Sequence, residues 1–449
     1  MDRQNVLFYF TDQQRWDTCG CYGQKLPVSP RLDAFASDGV LFEQAITCQP
    51  VCGPARAVLQ TGRWPAQIGC HVNGRELPQD IPTLAKAFRK AGYVTGYCGK
   101  WHLASTDGVA DFQRMPVPPE RRGGFSDFWI ASDVLEFTSH GYGGKMFCGD
   151  GTPYFFDSYR ADAVADAALA FLMGSRDRNR PFFLFVSQLE PHHQNDRGCF
   201  EGPIGSKERF AGFEIPGDLQ GTEGDWRENY PDYLGACNRC DWNFRRLLDA
   251  LTQTGELDHT LVVYTSDHGC HFRTRNAEYK RSCHEGSVHI PMVLRGPGFR
   301  GGKRIAAPVS LIDLPITLLD ACGIPRLPHM SGSPLTEAIA GRREDVVYLQ
   351  ISESHLGRAI RTSRWKYNVG APENDGWRDA EATEYMECYL YDLVKDPCEK
   401  HNLINDLAYT GIRSELAELM KEQMRKAGEA CPLIRPMEQE GFLERIERA

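Results

Sequence analysis

Two polar pairs lie far apart in the chain, Asp12-Gln13 and Asp267-His268, and each follows an apolar run. Two carboxylates, an amide oxygen and an imidazole make a donor set for a divalent cation. Oxygen-rich ligation suits Ca2+ or Mg2+, and a histidine widens the choice to Mn2+ or Zn2+. Singly, either aspartate reads as a helix cap after a strand; together they read as a metal site. A third segment, Cys52-Gly53-Pro54-Ala55-Arg56, carries a nucleophile candidate. Pro54 suits the first turn of a helix. That puts Cys52 at the helix N-terminus, where free N–H groups favour anions, and Arg56 one turn on along the same face. Taken alone, Cys52 is an activated thiolate or a buried structural thiol. Further groups follow other apolar runs: Lys100 and His102, then Glu190, His192 and His193, with Lys280 ten residues before Ile290. Each basic group alone is an ordinary surface residue. Collected at neighbouring strand ends beside a cation, they describe a pocket for a tetrahedral oxyanion.

Such a pocket needs elements that bring those ends together. Residues 5–10, 93–98, 181–189, 260–265 and 290–294 read as buried strands; 81–91, 161–173, 233–251 and 311–321 have helical spacing. This alternation predicts an α/β fold with a large, mixed, mostly parallel sheet sandwiched by helices, and ligands beyond the carboxyl ends of its strands. From Arg343 onward the texture changes. Short strands at 346–351, 359–362, 365–369 and 389–393, with a helix at 413–425, predict a small antiparallel sheet with a covering helix. The chain is expected to divide into 1–342 and 343–449. Segments 107–154 and 195–226, rich in Gly, Pro and charge, read as long binding loops.

Composition narrows the class. The 449 residues hold 51 Lys plus Arg against 60 Asp plus Glu, a net charge of −9, so a nucleic-acid partner is not expected. No run reaches the ~18 apolar residues of a membrane span, and the opening MDRQNVLFYFTDQQ lacks the apolar region of a secretory signal. The expectation is a soluble, cytoplasmic chain with no membrane partner. Its 16 cysteines are too sparse for a disulfide scaffold and read as mostly reduced thiols. Cys237 and Cys240 lack a second pair at zinc-ribbon spacing.

At this point the chain resembles the type I sulfatases of the alkaline-phosphatase superfamily. The segment from Cys52 to Arg63 fits their C-x-P-x-R signature followed by T-G-R, with every spacing kept. Gly99-Lys100-Trp101-His102, Pro191-His192, Ser266-Asp267-His268-Gly269 and Lys280 follow in order, and Leu390-Tyr391-Asp392-Leu393 fits the C-terminal part. The resemblance implies that a separate maturase oxidises Cys52 to Cα-formylglycine. One hydroxyl of the hydrated aldehyde attacks sulfur, and the second then expels sulfate by re-forming the aldehyde. It implies a metal held by Asp12, Gln13, Asp267, His268 and residue 52, with Ca2+ first and Mn2+ or Mg2+ next. Arg56, Lys100 and Lys280 would neutralise the sulfate, Asp267 would take the attacking hydroxyl's proton, His192 would be general acid to the leaving oxygen, and His102 the base that triggers collapse. Many members carry Asp at position 13 and Asn or Gln at position 268. Gln13 and His268 are similar instead to the choline-sulfatase and phosphonate-monoester-hydrolase branches.

The implied substrate is a small sulfated mono- or oligosaccharide, attacked at a chain end, with His71, Arg75, Glu190 and His193 on the alcohol side. Alternatives are a phosphonate monoester hydrolase or phosphodiesterase, a choline-sulfatase-like enzyme, a thiol enzyme using unmodified Cys52, and a non-catalytic carbohydrate-binding relative. The last would need a broken nucleophile or metal set, and neither is seen.

Overall fold

Four apolar runs, Asn5–Thr11, Val94–Lys100, Phe182–Ser187 and Thr260–Ser266, are buried along their whole length in the computed structural model, which describes residues 3–438 and 440–449. Strands covered on both faces read as continuous hydrophobic runs. With Phe128–Ser132 they form the parallel centre of a ten-stranded sheet. Its order is Lys303–Ile305, Val40–Phe42, Met292–Arg295, Thr260–Ser266, Asn5–Thr11, Phe182–Ser187, Val94–Lys100, Phe128–Ser132, Tyr142–Cys148, Pro153–Tyr159. Phe10 lies opposite Thr265 on one side and Ser187 on the other, so these strands release their chains at one level.

Alternation along Asn5–Thr11 divides the core. Leu7 and Tyr9 pack with Ala163, Ala167, Phe244 and Leu247 of the helices Arg160–Met173 and Trp226–Gln253. Val6, Phe8 and Phe10 pack on the other face with Val58, Leu59, Phe88 and Leu318, from the helices Cys52–Thr61, Leu84–Lys90 and Asp313–Ala321.

Several expectations are corrected. Segment 107–154 is not one long loop: it holds Phe128–Ser132 and Tyr142–Cys148 and enters Pro153–Tyr159. Pro153–Tyr159 alternates in exposure, Tyr142–Cys148 is only partly buried, and Gly143 and Gly144 sit at positive φ (78° and 152°) beside a register shift, so no continuous apolar run marks either strand. The run 290–294 is broken at Pro291, which has no N–H for a ladder. His289–Ile290 joins a separate three-stranded sheet, and Met292–Arg295 joins the large one. Helix 233–251 begins earlier, at Trp226, and carries Pro231 inside it. Helix 81–91 begins only at Leu84, where the Thr83 hydroxyl accepts from the Lys86 N–H at 3.3 Å. The C-terminal sheet is mixed rather than antiparallel. Val347–Ile351, Gly357–Arg361, Trp365–Gly370 and Glu384–Asp392 are antiparallel neighbours, and Leu433–Arg435 pairs parallel to the last. The helix Thr410–Lys426 supplies the crossover that a parallel pairing requires. No helix among the described residues is long and apolar enough to cross a membrane. All 16 cysteines are free thiols.

Candidate active site

The strand Asn5–Thr11 ends in Asp12, and Thr260–Ser266 ends in Asp267 and His268. Cys52 is the first residue of the buried helix Cys52–Thr61. One donor atom from each of Asp12, Cys52, Asp267 and His268 lies within 4.8 Å of every other, and all four residues are buried. Asp267 Oδ1 accepts from the backbone N–H of Gln13 at 2.9 Å and of His268 at 2.8 Å, which orients the carboxylate. Asp267 Oδ2 is buried and receives no hydrogen bond. A buried carboxylate oxygen without a donor, beside a second carboxylate, an imidazole and a thiol, fits a divalent cation. The backbone of Gln13 is left-handed (φ 71°), and its side chain meets His193 Nδ1 at 3.3 Å and Cys270 Sγ at 3.4 Å.

Positive charge gathers on the same spot. Arg56 projects from the Cys52 helix; its Nη2 donates to Asp12 Oδ2 at 2.9 Å and its Nη1 to Ser187 Oγ at 2.7 Å. Lys100 ends its strand between Asp12 Oδ2 and Glu136 Oε1, each at 2.9 Å. Lys280 Nζ donates to Cys52 Sγ at 2.9 Å and meets His192 Nε2 at 3.0 Å. His192 Nδ1 lies 2.5 Å from its neighbour's carbonyl, so Nδ1 carries the proton and Nε2 accepts from Lys280.

These charges set the protonation of the protein alone. Burial and Asp12 push the Cys52 thiol up, but Lys280 and Lys100 overcome both and bring it down to about 6. Burial opposes ionisation of Asp12, yet Lys100, His192 and Arg56 hold it well below the usual carboxylate range. Burial and Asp12 raise Asp267 to about 6. Burial and Lys100 lower His102 to about 4, and its Nδ1 has no partner.

Above this centre opens a cavity of about 260 Å3. Its buried part is Cys52, Glu136, His192, His193 and Lys280; the more exposed part is His102, Asn73, Asn195, Gly198, Arg273, Glu278 and Arg281. No aliphatic or aromatic hydrocarbon side chain lines it among the described residues. His102, at φ 58°, is held by its N–H to the Asp133 carbonyl (2.8 Å), while the Asp133 carboxylate takes the N–H groups of Leu103, Ala104 and Ser105.

Three residues assigned from sequence to the alcohol side do not line this cavity. Glu190 is buried in a 2.9 Å ion pair with Arg160, His71 is buried against Gln49, and Arg75 is exposed. Others were missed. Asn73 accepts from the Gly53 N–H at 2.9 Å, Glu136 pairs with Lys100, and Ser187 anchors Arg56. Ser187 closes a buried strand, the signal that found Asp12 and Asp267; Asn73 and Glu136 carry no such signal.

The sequence profile of the family described as "Sulfatase" matches residues 4–324, and one described as "N-sulphoglucosamine sulphohydrolase, C-terminal" matches residues 277–426. The chain is 30% identical to the uncharacterized sulfatase YidJ of Escherichia coli (strain K12), over 95% of this chain and 88% of that one. It is 23% identical to the N-acetylglucosamine-6-O-sulfatase of Bacteroides thetaiotaomicron, over 94% and 87%. The crystal structure of the Bacteroides fragilis protein named yidJ superposes with a TM-score of 0.82 at 26% identity, covering 99% of this chain and 98% of that one. The chain belongs to the sulfatase family, sulfuric ester hydrolases of the alkaline-phosphatase superfamily.

Proposed function

We propose that this sulfatase removes sulfate from a small sulfated mono- or oligosaccharide, acting at a chain end. The observation that carries this reading is the cavity beside Cys52: about 260 Å3, with every lining residue polar or charged apart from Cys52 and Gly198. A sugar presents hydroxyls to such a wall. An aryl group would want apolar walls, and a quaternary ammonium would want aromatic faces. A volume at the small end of ligand sites fits one terminal residue rather than a run of polymer.

Members of the family use a metal and a formylglycine. We assign the metal to Asp12, Gln13, Asp267, His268 and residue 52, with Ca2+ first and Mn2+ or Mg2+ as alternatives. When present, the cation supplies positive charge to a sulfate oxygen, and formylglycine at position 52 supplies a hydrated aldehyde as nucleophile. The chain's own side chains orient and neutralise. Arg56, Lys100 and Lys280 surround residue 52 and stabilise charge on the sulfate oxygens. Asp267 accepts the attacking hydroxyl's proton. In the hydrogen-bonded Lys280–His192 pair the proton for the leaving sugar oxygen is stored on the Lys280 ammonium; His192 acts as general acid by taking that proton at Nε2 and passing it to the oxygen. His102, with an unpartnered Nδ1, is the base for sulfate release. On the alcohol side His193 keeps its assignment, with Asn73 and Asn195 in place of His71, Arg75 and Glu190.

The test is a panel assay on chain co-produced with a maturase, reading released sulfate or phosphonate. Sulfated sugars are expected to react with higher kcat/KM than choline sulfate or aryl sulfates. Turnover confined to choline sulfate or aryl sulfates would remove the sugar reading, and a faster aryl phosphonate would remove sulfate as the main substrate.

A further inference from the structure

We propose that Arg273 makes the outer cavity a subsite for a second anionic group, a carboxylate or another sulfate, on the sugar that leaves; this rests on the carbohydrate reading above. The other cations at the site are engaged. Arg56 and Lys100 each reach Asp12 at 2.9 Å, Lys280 lies 2.9 Å from Cys52, and Arg281 pairs with Glu353 at 2.6 Å and Glu278 at 3.3 Å. Arg273 differs. Its nearest carboxylate oxygen, Asp225 Oδ2, is 3.8 Å away and already accepts from the Tyr279 hydroxyl at 2.6 Å. Its guanidinium donates no hydrogen bond to any described residue, and its side chain is 46% exposed where it lines the cavity.

Arg273 is nonetheless fixed in place. It is held at φ 60°, directly after Phe272 at φ 51°, left-handed conformations that are strained for a non-glycine residue and that cluster at ligand clamps. Gly224 crosses so close that a Cβ there would stand 2.3 Å from the Phe272 carbonyl oxygen, which also accepts the Asp225 N–H at 3.2 Å. The guanidinium lies 4.7 Å over the Tyr279 ring, Tyr279 lies 4.2 Å from the His193 ring, and His193 stacks 4.3 Å from His192. This column runs from the partner of Lys280 outward. It sets a free, planar fork of donors at a fixed remove from the sulfate centre. Such a fork matches carboxylate and sulfate oxygens in pairs.

The experiment compares kcat/KM for matched sulfated sugars carrying, at one ring position, a neutral hydroxymethyl group, a carboxylate or a second sulfate. Wild type, Arg273→Ala and Arg273→Lys are assayed. Wild type is expected to favour a doubly anionic sugar by roughly tenfold to a hundredfold, the size of a charged hydrogen bond, with the preference in KM. The alanine variant should bring the ratio within about threefold of one, and the lysine variant, which keeps charge but not the fork, should retain part of it. The carboxylate and sulfate arms tell the two sources apart. A wild-type ratio near one, or a ratio that survives Arg273→Ala, overturns the subsite while leaving carbohydrate sulfatase activity standing. Hydrolysis of aryl sulfate with no hydrolysis of any sugar overturns both readings.

Discussion

Cys52 stands where an acidifying field and a metal-type donor set overlap. The helix N-terminus and Lys280 favour negative charge on its side chain, while Asp12 and Asp267 oppose it until a cation intervenes. Co-production with a maturase is therefore expected to lower the mass of the residue-52 peptide by roughly 18 Da, with turnover rising in step with conversion. Full activity from a preparation that mass spectrometry shows to hold only cysteine would sink the formylglycine assignment. Lys280 touches both Sγ and His192, so Lys280→Ala should lower kcat by about 10^2–10^3, as when one oxyanion donor is removed. Chelation should abolish turnover of sulfated substrate, and added Ca2+ should restore more of it than Mn2+ or Mg2+; restoration by Mn2+ alone would reverse that order. At this scale the sequence was readable where chemistry follows a buried strand directly, as for Asp12 and Asp267. It misled at Glu190, which also follows a buried strand but is taken by Arg160 from another element. It was silent on Asn73, Arg273 and Arg281, whose relevance depends on long-range placement.

Elements hold these residues by buried polar ties, and one tie gives a pH signature. Asp241, in the helix Trp226–Gln253, accepts the N–H groups of Leu32 (2.7 Å) and Arg31 (3.1 Å) at the start of the helix Pro30–Ala36. Burial raises its carboxyl to about 7 despite those donors. The unfolded carboxyl titrates near pH ~4, so between about 4 and 7 the folded chain holds the extra proton. Stability contributed by the neutral form is thus lost as pH rises through that window, on the order of 4 kcal/mol in all. Asp241→Asn keeps one acceptor and carries no charge. Its unfolding midpoint relative to wild type should climb from pH 5 to pH 8, and parallel curves would show that Asp241 does not carry the cost. Four of the five parallel central strands were legible as elements because they are mostly apolar and buried on both faces; Phe128–Ser132, inside a segment read as loop, was not. The strands Tyr142–Cys148 and Pro153–Tyr159 were not, because the margin of the sheet is half in solvent and lacks that pattern. Pro291 was in plain sight, and its missing N–H divides what hydrophobicity alone joins.

On the scale of the molecule, the five-stranded sheet that begins at Val347 does not have an independent core. One hydrophobic cluster runs from Phe8, Phe10 and Val58 to Tyr348, Ile360, Tyr367 and Met420, with Trp64 edge-on to Tyr348 at 5.0 Å. Lys366 is fully buried between Glu285 and Glu399, each at 2.7 Å. The C-terminal part also reaches the active site. Glu353 accepts the Asn73 N–H at 2.7 Å and pairs with Arg281, and Asn73 in turn caps the helix that begins at Cys52. Cutting the chain after residue 342 would expose that shared core and take Lys366 and Arg361 from Glu285 and Glu353 from Arg281. Breaking a buried ion pair costs about 3–5 kcal/mol, against a whole-domain stability of about 5–15 kcal/mol. The expected outcome is that residues 1–342 expressed alone do not give folded, active protein, and that the full chain melts in one transition, with loss of activity and of near-ultraviolet circular dichroism superimposed. Lys366→Met, which removes the buried cation between Glu285 and Glu399, should move that single transition to lower temperature without splitting it. Two separated transitions, with activity surviving the first, would mean that the catalytic sheet stands without its C-terminal partner and that the shared cluster contributes little to either.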